Sequence, residues 1–270
     1  MREAFDRLLQ RATDDARVVG LVVGGSRGKG LGTANSDWDV YVVVQSGDDV
    51  ARVRVALLAG ASQGIDLCGV FTLAQFEGHA AVGDSDEWNR YNFAHLVPAL
   101  DRTPGGLLQG LCDGKEWLPE PVASHRAWAA LDAYLNSYYR ALMNRRDGNQ
   151  VAASLDAAEA VPSLLQFVFT AERRVRPYNK FLAWELTTHP LERQWWPTLD
   201  VMSLLLDVVR SGSLTSLAAV FRHVEREARE LGLGDIVDAW GGSATSAMRR
   251  GAPTAECSSR TPENADDSGV

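Results

Sequence analysis

Cysteine is scarce. Its three copies, Cys68, Cys112 and Cys257, lie far apart, and no CxxC pair occurs. An odd, dispersed set excludes a disulfide framework and a zinc knuckle, and it fits a reducing, cytoplasmic setting. Positive charge is also in deficit: 27 Lys and Arg stand against 35 Asp and Glu, a net charge of −8. Extended nucleic-acid binding draws its affinity from Lys and Arg on phosphates, so the balance argues against it without excluding a local basic pocket. The first twenty residues, MREAFDRLLQRATDDARVVG, are charged and amphipathic and contain no long apolar run. They read neither as a signal peptide nor as a membrane anchor, and the expectation is a soluble, cytoplasmic protein with no membrane partner. The five histidines are scattered, with no HxxxH spacing and no Ser–His pattern, so none is assigned to catalysis. No internal repeat is evident.

What is present is apolar residue in quantity, 46% of 270 positions, enough for one large packed domain or two moderate ones. Phe5, Leu8, Leu9 and Ala12 share one face of an expected helix over residues 2–16. The β-branched run Val18–Val23 reads as a buried strand entering a tight turn at Gly24-Gly25. Asp39–Val44 reads as a second strand, Val50–Leu58 as a helix closed by Gly60, and Gly64–Phe71 as a third strand. That order makes a small α/β unit on a mixed sheet. After Leu118-Pro119-Glu120-Pro121 the pattern becomes helical, with Trp128, Leu131, Leu135, Tyr138 and Leu142 at helical spacing up to Asp147-Gly148. Helices are expected again over Val151–Thr170, Met202–Arg210 and Leu217–Leu231, with Pro162 starting or kinking one of them. The stretch from Gly241 onward is small and polar and reads as a disordered tail. The fold class is therefore α+β: a mixed-sheet domain over 1–118, an all-helical domain over 119–240, and a tail over 241–270.

The segment GGSRGKGLGTANSDWDVYVVV, Gly24 to Val44, carries the chemistry. A Walker A loop needs glycine five positions before Gly28-Lys29, where Val23 stands, and Ser or Thr after the lysine, where Gly30 stands. A dinucleotide fingerprint started at Gly28 or Gly30 lacks its third glycine and runs toward a strand instead of a helix. Asp37 and Asp39 alternate onto one face of a strand, where two carboxylates repel unless a cation sits between them. Oxygen ligands without nearby His or Cys suit Mg²⁺, completed by water and substrate phosphate. Asp66, in an otherwise apolar strand, is a third candidate if its strand lies beside that of Asp39; otherwise it is an edge acid facing water. The Gly24-Gly25-Ser26 turn offers backbone N–H groups and a hydroxyl to phosphate oxygens. Phosphate grip beside a metal-binding acid pair implies nucleotide phosphoryl chemistry, with two metal ions about 4 Å apart able to serve it.

Gly25-Ser26, ten intervening residues, then Asp37-Trp38-Asp39 resembles the signature of the polymerase-beta-like nucleotidyltransferase superfamily. The Lys29-Gly30 and Ser36-Asp37 flanks look like its small-molecule branch, which includes aminoglycoside and lincosamide nucleotidyltransferases. The resemblance implies that Ser26 and its turn hold the triphosphate, that Asp37 and Asp39 bind Mg²⁺, and that Asp66 completes the site or acts as base. Lys29 stands where many relatives have Arg, keeping the charge but losing bidentate geometry. Antibiotic-type members add a helical domain that walls the cleft, and residues 144–149 and 176–185 are similar to segments found there. Many relatives place part of the site at a homodimer interface, which nothing in this sequence demands.

The implied activity is a Mg²⁺-dependent transfer of a nucleoside monophosphate, AMP from ATP, to a hydroxyl of a small acceptor such as an aminoglycoside-like antibiotic or sugar, with release of pyrophosphate. Gly24, Gly25, Ser26, Lys29, Ser36 and Lys180 are the nucleotide-binding candidates. Asp66, or failing it Glu159, would take the hydroxyl proton, general-base help being worth about 10²–10⁴-fold. Each has a plainer alternative. Lys180 could be a solvated lysine near Glu185; Asp156 and Glu159 could be an exposed helix face; Arg90 could pair with an acid; and Trp195-Trp196 fits core packing better than base stacking. Two other functions share these residues, a protein- or RNA-modifying adenylyltransferase of antitoxin type and a non-catalytic nucleotide-binding module.

Overall fold

In the computed structural model, which describes residues 2–59, 64–193 and 200–253, the valine-rich segments pair as strands. β1 (Val18–Val23) and β2 (Trp38–Val44) run antiparallel, and β2 pairs in parallel with β3 (Ile65–Thr72). A short β4 (Leu100–Asp101) adds to the other side of β1, giving the order β3-β2-β1-β4. The two-residue β4 lies in a stretch whose sequence carries no alternation, so no local pattern announces it. The fold is mixed α+β, with the sheet in the N-terminal region and helices in the rest.

Period-two alternation builds two apolar layers. Val40, Val42 and Val44 of β2 join Phe5, Leu8 and Ala12 of helix α1 (Arg2–Asp14) on one face. Tyr41 and Val43 join Phe76, Phe93, Leu96 and Leu108 on the other. Each fully buried large side chain contributes about 1.5–3 kcal/mol, so both faces are firmly specified. A one-turn helix α2 (Gly25–Gly28) follows β1, where the sequence suggested a plain turn, and α3 (Gly47–Leu58) joins β2 to β3. Thr72 and Gln75 cap one another at the start of α4 (Leu73–Gly78), and α5 (Leu107–Glu116) buries Leu108 and Cys112. Gly60, expected to close the helix before β3, lies outside the described residues.

Two compact units emerge, residues 1–120 with 173–178 and residues 121–172 with 179–270. The return of 173–178 to the first unit is held by backbone bonds, Leu118 N–H to Arg173 O (2.7 Å) and Val175 N–H to Glu116 O (3.1 Å). Arg176-Pro177-Tyr178 therefore folds with the sheet, although the sequence placed it with the helices.

The second unit is built on α6 (Glu120–Arg146) and α7 (Gln150–Ala171). Leu131, Leu135, Tyr138 and Leu142 are buried as their spacing requires, whereas Trp128 is half exposed. Pro162 does not start a helix; it lies inside α7, which continues through it. An interior proline costs about 3 kcal/mol, and burial of Leu164, Leu165, Phe167 and Phe169 on the same helix outweighs that. Among the described residues α7 alone is long and apolar enough to cross a membrane, and half of its apolar window is buried within the structure. The stretch from Gly241 is not structureless at its start. Residues Gly241–Arg250 form a helix, with Ala244, Ala247 and Met248 buried and the Tyr138 hydroxyl donating to Met248 O (2.7 Å). Small side chains hid this helix, because they pack by close approach and carry little apolar area. Residues 254–270, Cys257 among them, and Trp195-Trp196 lie outside the described residues.

Candidate functional site

Asp39 sits one residue into β2 and pairs in register with Asp66 of β3. The parallel ladder slips between Val40 and Tyr41: Leu67 lies opposite Val40 and Gly69 opposite Tyr41, which leaves Cys68 as the extra residue of a bulge. A bulge re-aims the side chains beyond it. Here Asp66 and Cys68 share the face of Asp39, while Leu67 and Val70 both enter the opposite apolar layer. One ligand atom from each of Asp39, Asp66 and Cys68 lies within 4.8 Å of the other two. The thiol is 4.0 Å from Asp39 Oδ1. Burial, then the negative charges of Asp66 and Asp39, pushes that thiol up to about 11, although Cys68 as a whole residue is exposed.

The glycine turn lies against this acid. Gly24 N–H donates to Asp39 O (2.8 Å), which fixes the turn to the strand. Gly25 has φ +59°, and a Cβ there would overlap Asp39 Oδ2. A Cβ at Gly24 would lie 2.9 Å from the Tyr41 ring. Both glycines are therefore demanded by close approach to β2, and Gly25 also by its left-handed backbone. Ser26, half-buried, is the second residue of α2, where backbone N–H groups have no partner four residues back.

Asp37 is exposed and precedes the strand, so it does not share a pleat with Asp39, and the three-donor group does not include it. The residue between them is the anchor. Trp38 is buried, stacks on Phe5 with ring centroids 3.9 Å apart, and carries the Arg27 guanidinium 5.0 Å from its ring. Arg27 also donates to Ser36 O (2.7 Å) and Thr33 O (2.9 Å), clasping the loop that leads into Asp37. Ser36 accepts from Thr33 N–H through its hydroxyl (2.9 Å), so its role here is to shape that loop.

Lys29 does not stand ready for phosphate. Its ammonium is buried, donates to Ala94 O, and lies 4.7 Å over the Tyr91 ring. Arg90 donates to Ala80 O (3.0 Å), Gly114 O (2.8 Å) and Trp117 O (2.8 Å), tying loops together by carbonyls. In the second unit, Lys180 is exposed over the Phe181 ring. Asp156 is buried on Arg140 (2.6 Å) and Asn144 (2.7 Å), while Glu159 is exposed at 3.9 Å from Arg140.

Several residues near the acids escaped the sequence. The Tyr41 hydroxyl accepts from Asn89 (2.9 Å), whose amide also contacts His79 Nε2 (3.3 Å). Burial pushes the Tyr41 phenol well up. Tyr178 donates to Trp88 O (2.8 Å); burial, and next the charge of Asp39, raises it to about 12. Only spatial neighbourhood links these positions to Asp39, and no local motif announces them. A second group, His79, Asp84 and Asp86, also has ligand atoms within 4.8 Å of one another. No family model matches the chain, and no curated protein matches it.

Proposed function

We propose that this protein is a Mg²⁺-dependent nucleotidyltransferase of the polymerase-beta-like type that moves AMP from ATP to a hydroxyl of a small acceptor. The observation that carries the reading is the Asp39–Asp66 cross-strand pair seated against the Gly24-Gly25 turn. Neighbouring strands lie about 4.8 Å apart, so paired carboxylates can reach one cation. The donor set fits a divalent ion. Two carboxylates face each other, and a hard cation with several waters converts their repulsion into binding. When bound, Mg²⁺ supplies charge neutralisation on the reacting phosphates.

In this reading Asp39 and Asp66 hold the ion, with Asp37 at the mouth of the strand. The Ser26 hydroxyl and the first N–H groups of α2 receive the triphosphate; Lys29 is left out because its ammonium is engaged with Ala94 O. The acceptor oxygen attacks the α-phosphorus, its new O–P bond forms, and the bond from that phosphorus to the pyrophosphate oxygen breaks. An exposed oxygen of Asp66 takes the hydroxyl proton. Glu159, the other candidate base, belongs to the second unit and is given no part at this site.

The test is Mg²⁺-dependent pyrophosphate release from each nucleoside triphosphate across a panel of aminoglycosides, lincosamides and sugars, with the product read by mass. The expected result is an acceptor heavier by one nucleotidyl group, lost in Asp39→Asn. Full turnover in that variant would overturn the proposal. Label entering protein or RNA instead would shift the acceptor class to a macromolecule.

A further inference from the structure

Cys68, two residues after Asp66 on β3, sets a sulfur beside the two carboxylates. We propose that Asp39, Asp66 and Cys68 together bind thiophilic divalent cations such as Zn²⁺, Cd²⁺ or Co²⁺, making Cys68 the residue that sets the metal preference. The inference rests on the reading that Asp39 and Asp66 hold a cation.

The argument is geometric. Alternation along β3 puts Cys68 on the face of Asp66, and its Sγ lies 4.0 Å from Asp39 Oδ1. Zinc–sulfur bonds are about 2.3 Å and zinc–carboxylate bonds about 2.0–2.2 Å, so ligand atoms within 4.8 Å of one another can converge on one ion. Three protein donors leave a fourth position of a tetrahedral ion open to water or phosphate, as catalytic rather than structural sites do. Softness supplies the selectivity: thiolate favours Zn²⁺, Cd²⁺ and Co²⁺ over Mg²⁺, which takes oxygen alone. Binding replaces the S–H bond with a metal–sulfur bond and releases one proton to solvent.

The test uses the full chain, treated with chelator and kept reduced, without nucleotide. Co²⁺ is titrated in while the near-ultraviolet thiolate-to-cobalt charge-transfer band is followed, and Cd²⁺ is then used as a competitor. The wild type is expected to show the band, saturating at one ion per chain, with Cd²⁺ displacing Co²⁺ and Mg²⁺ failing to do so at equal concentration. Cys68→Ser should lose the band and at least about tenfold in Co²⁺ affinity, because removal of even an outer-shell support typically costs that much. Cys112→Ser, which changes a buried thiol outside the three-donor group, should keep both. Absence of the band in the wild type, or an equal Co²⁺ affinity in Cys68→Ser, would overturn the proposal. If that occurs while Mg²⁺-dependent transfer persists, the sulfur role alone is lost. If calorimetry detects neither Mg²⁺ nor Co²⁺ binding, the cation reading of Asp39 and Asp66 is lost with it.

Discussion

Gly25→Ala isolates the contact on which the candidate site depends. Two costs are separable. The backbone at Gly25 has φ +59°, where a Cβ costs about 1–2 kcal/mol. The new methyl would also overlap Asp39 Oδ2, and overpacking of this kind costs about 1–3 kcal/mol. The sum is about 2–5 kcal/mol, or a smaller loss with Asp39 pushed away from Asp66. Gly30→Ala is the control, because φ is +72° there but nothing lies within 4 Å of the added carbon. It should cost only the backbone part, about 1–2 kcal/mol.

The assay is chemical denaturation of four proteins beside the wild type: Gly25→Ala, Gly30→Ala, Asp39→Ala and the double variant Gly25→Ala/Asp39→Ala. Removing the carboxylate should rescue most of the clash, leaving a coupling energy of about 1–3 kcal/mol between positions 25 and 39, well above the roughly 0.5 kcal/mol of uncoupled sites. Metal titration of Gly25→Ala reports the second outlet, a displaced Asp39, as weakened affinity. Gly25→Ala behaving like Gly30→Ala in both measurements would refute the close seating of the turn on the acid.

Three further outcomes follow from named contacts. Arg27→Ala removes donors to Thr33 O and Ser36 O and the cation over Trp38, and should cost about 2–3 kcal/mol; Arg27→Lys should not restore it, since an ammonium lacks the guanidinium fork. Burial pushes the Lys115 ammonium down to about 8 from its ordinary value near 10.5, so between those values the unfolded chain binds more protons and stability rises with pH. Denaturation of Lys115→Met against wild type should show that rise vanish, its slope being at most about 1.4 kcal/mol per pH unit. Asp66→Asn should weaken Co²⁺ or Mg²⁺ binding more than Asp37→Asn does, measured by titration without nucleotide; the opposite order would return the ion to the Asp37–Asp39 pair.

The sheet was legible because its code is local. Valine-rich or apolar runs near glycine announce β1, β2 and β3, and spacing at Leu131, Leu135, Tyr138 and Leu142 announces α6. What stayed hidden depends on partners distant in sequence. β4 is two residues long and exists only because Gly20 and Leu21 offer an edge to Leu100 and Asp101. Residues 173–178 carry no composition that separates them from the helices on either side, and only their bonds to Glu116 and Leu118 assign them to the first unit. Pro162 and the helix at 241–250 are cases where tertiary burial overrules local preference.

The acids show how a strand pattern and the folded sheet can pick different neighbours. Period-two reasoning makes Asp37 and Asp39 neighbours on one pleat, but β2 begins at Trp38, so Asp37 precedes the pleat that carries Asp39. A cross-strand pair lies about 4.8 Å apart, and Asp39 gains such a partner in Asp66 because β2 and β3 run in parallel register at that level. Parallel register cannot be read from either strand alone. The sequence pattern therefore identifies which residue types gather at the turn. The sheet decides which carboxylates face each other, and alternation along β3 adds the sulfur of Cys68 to them.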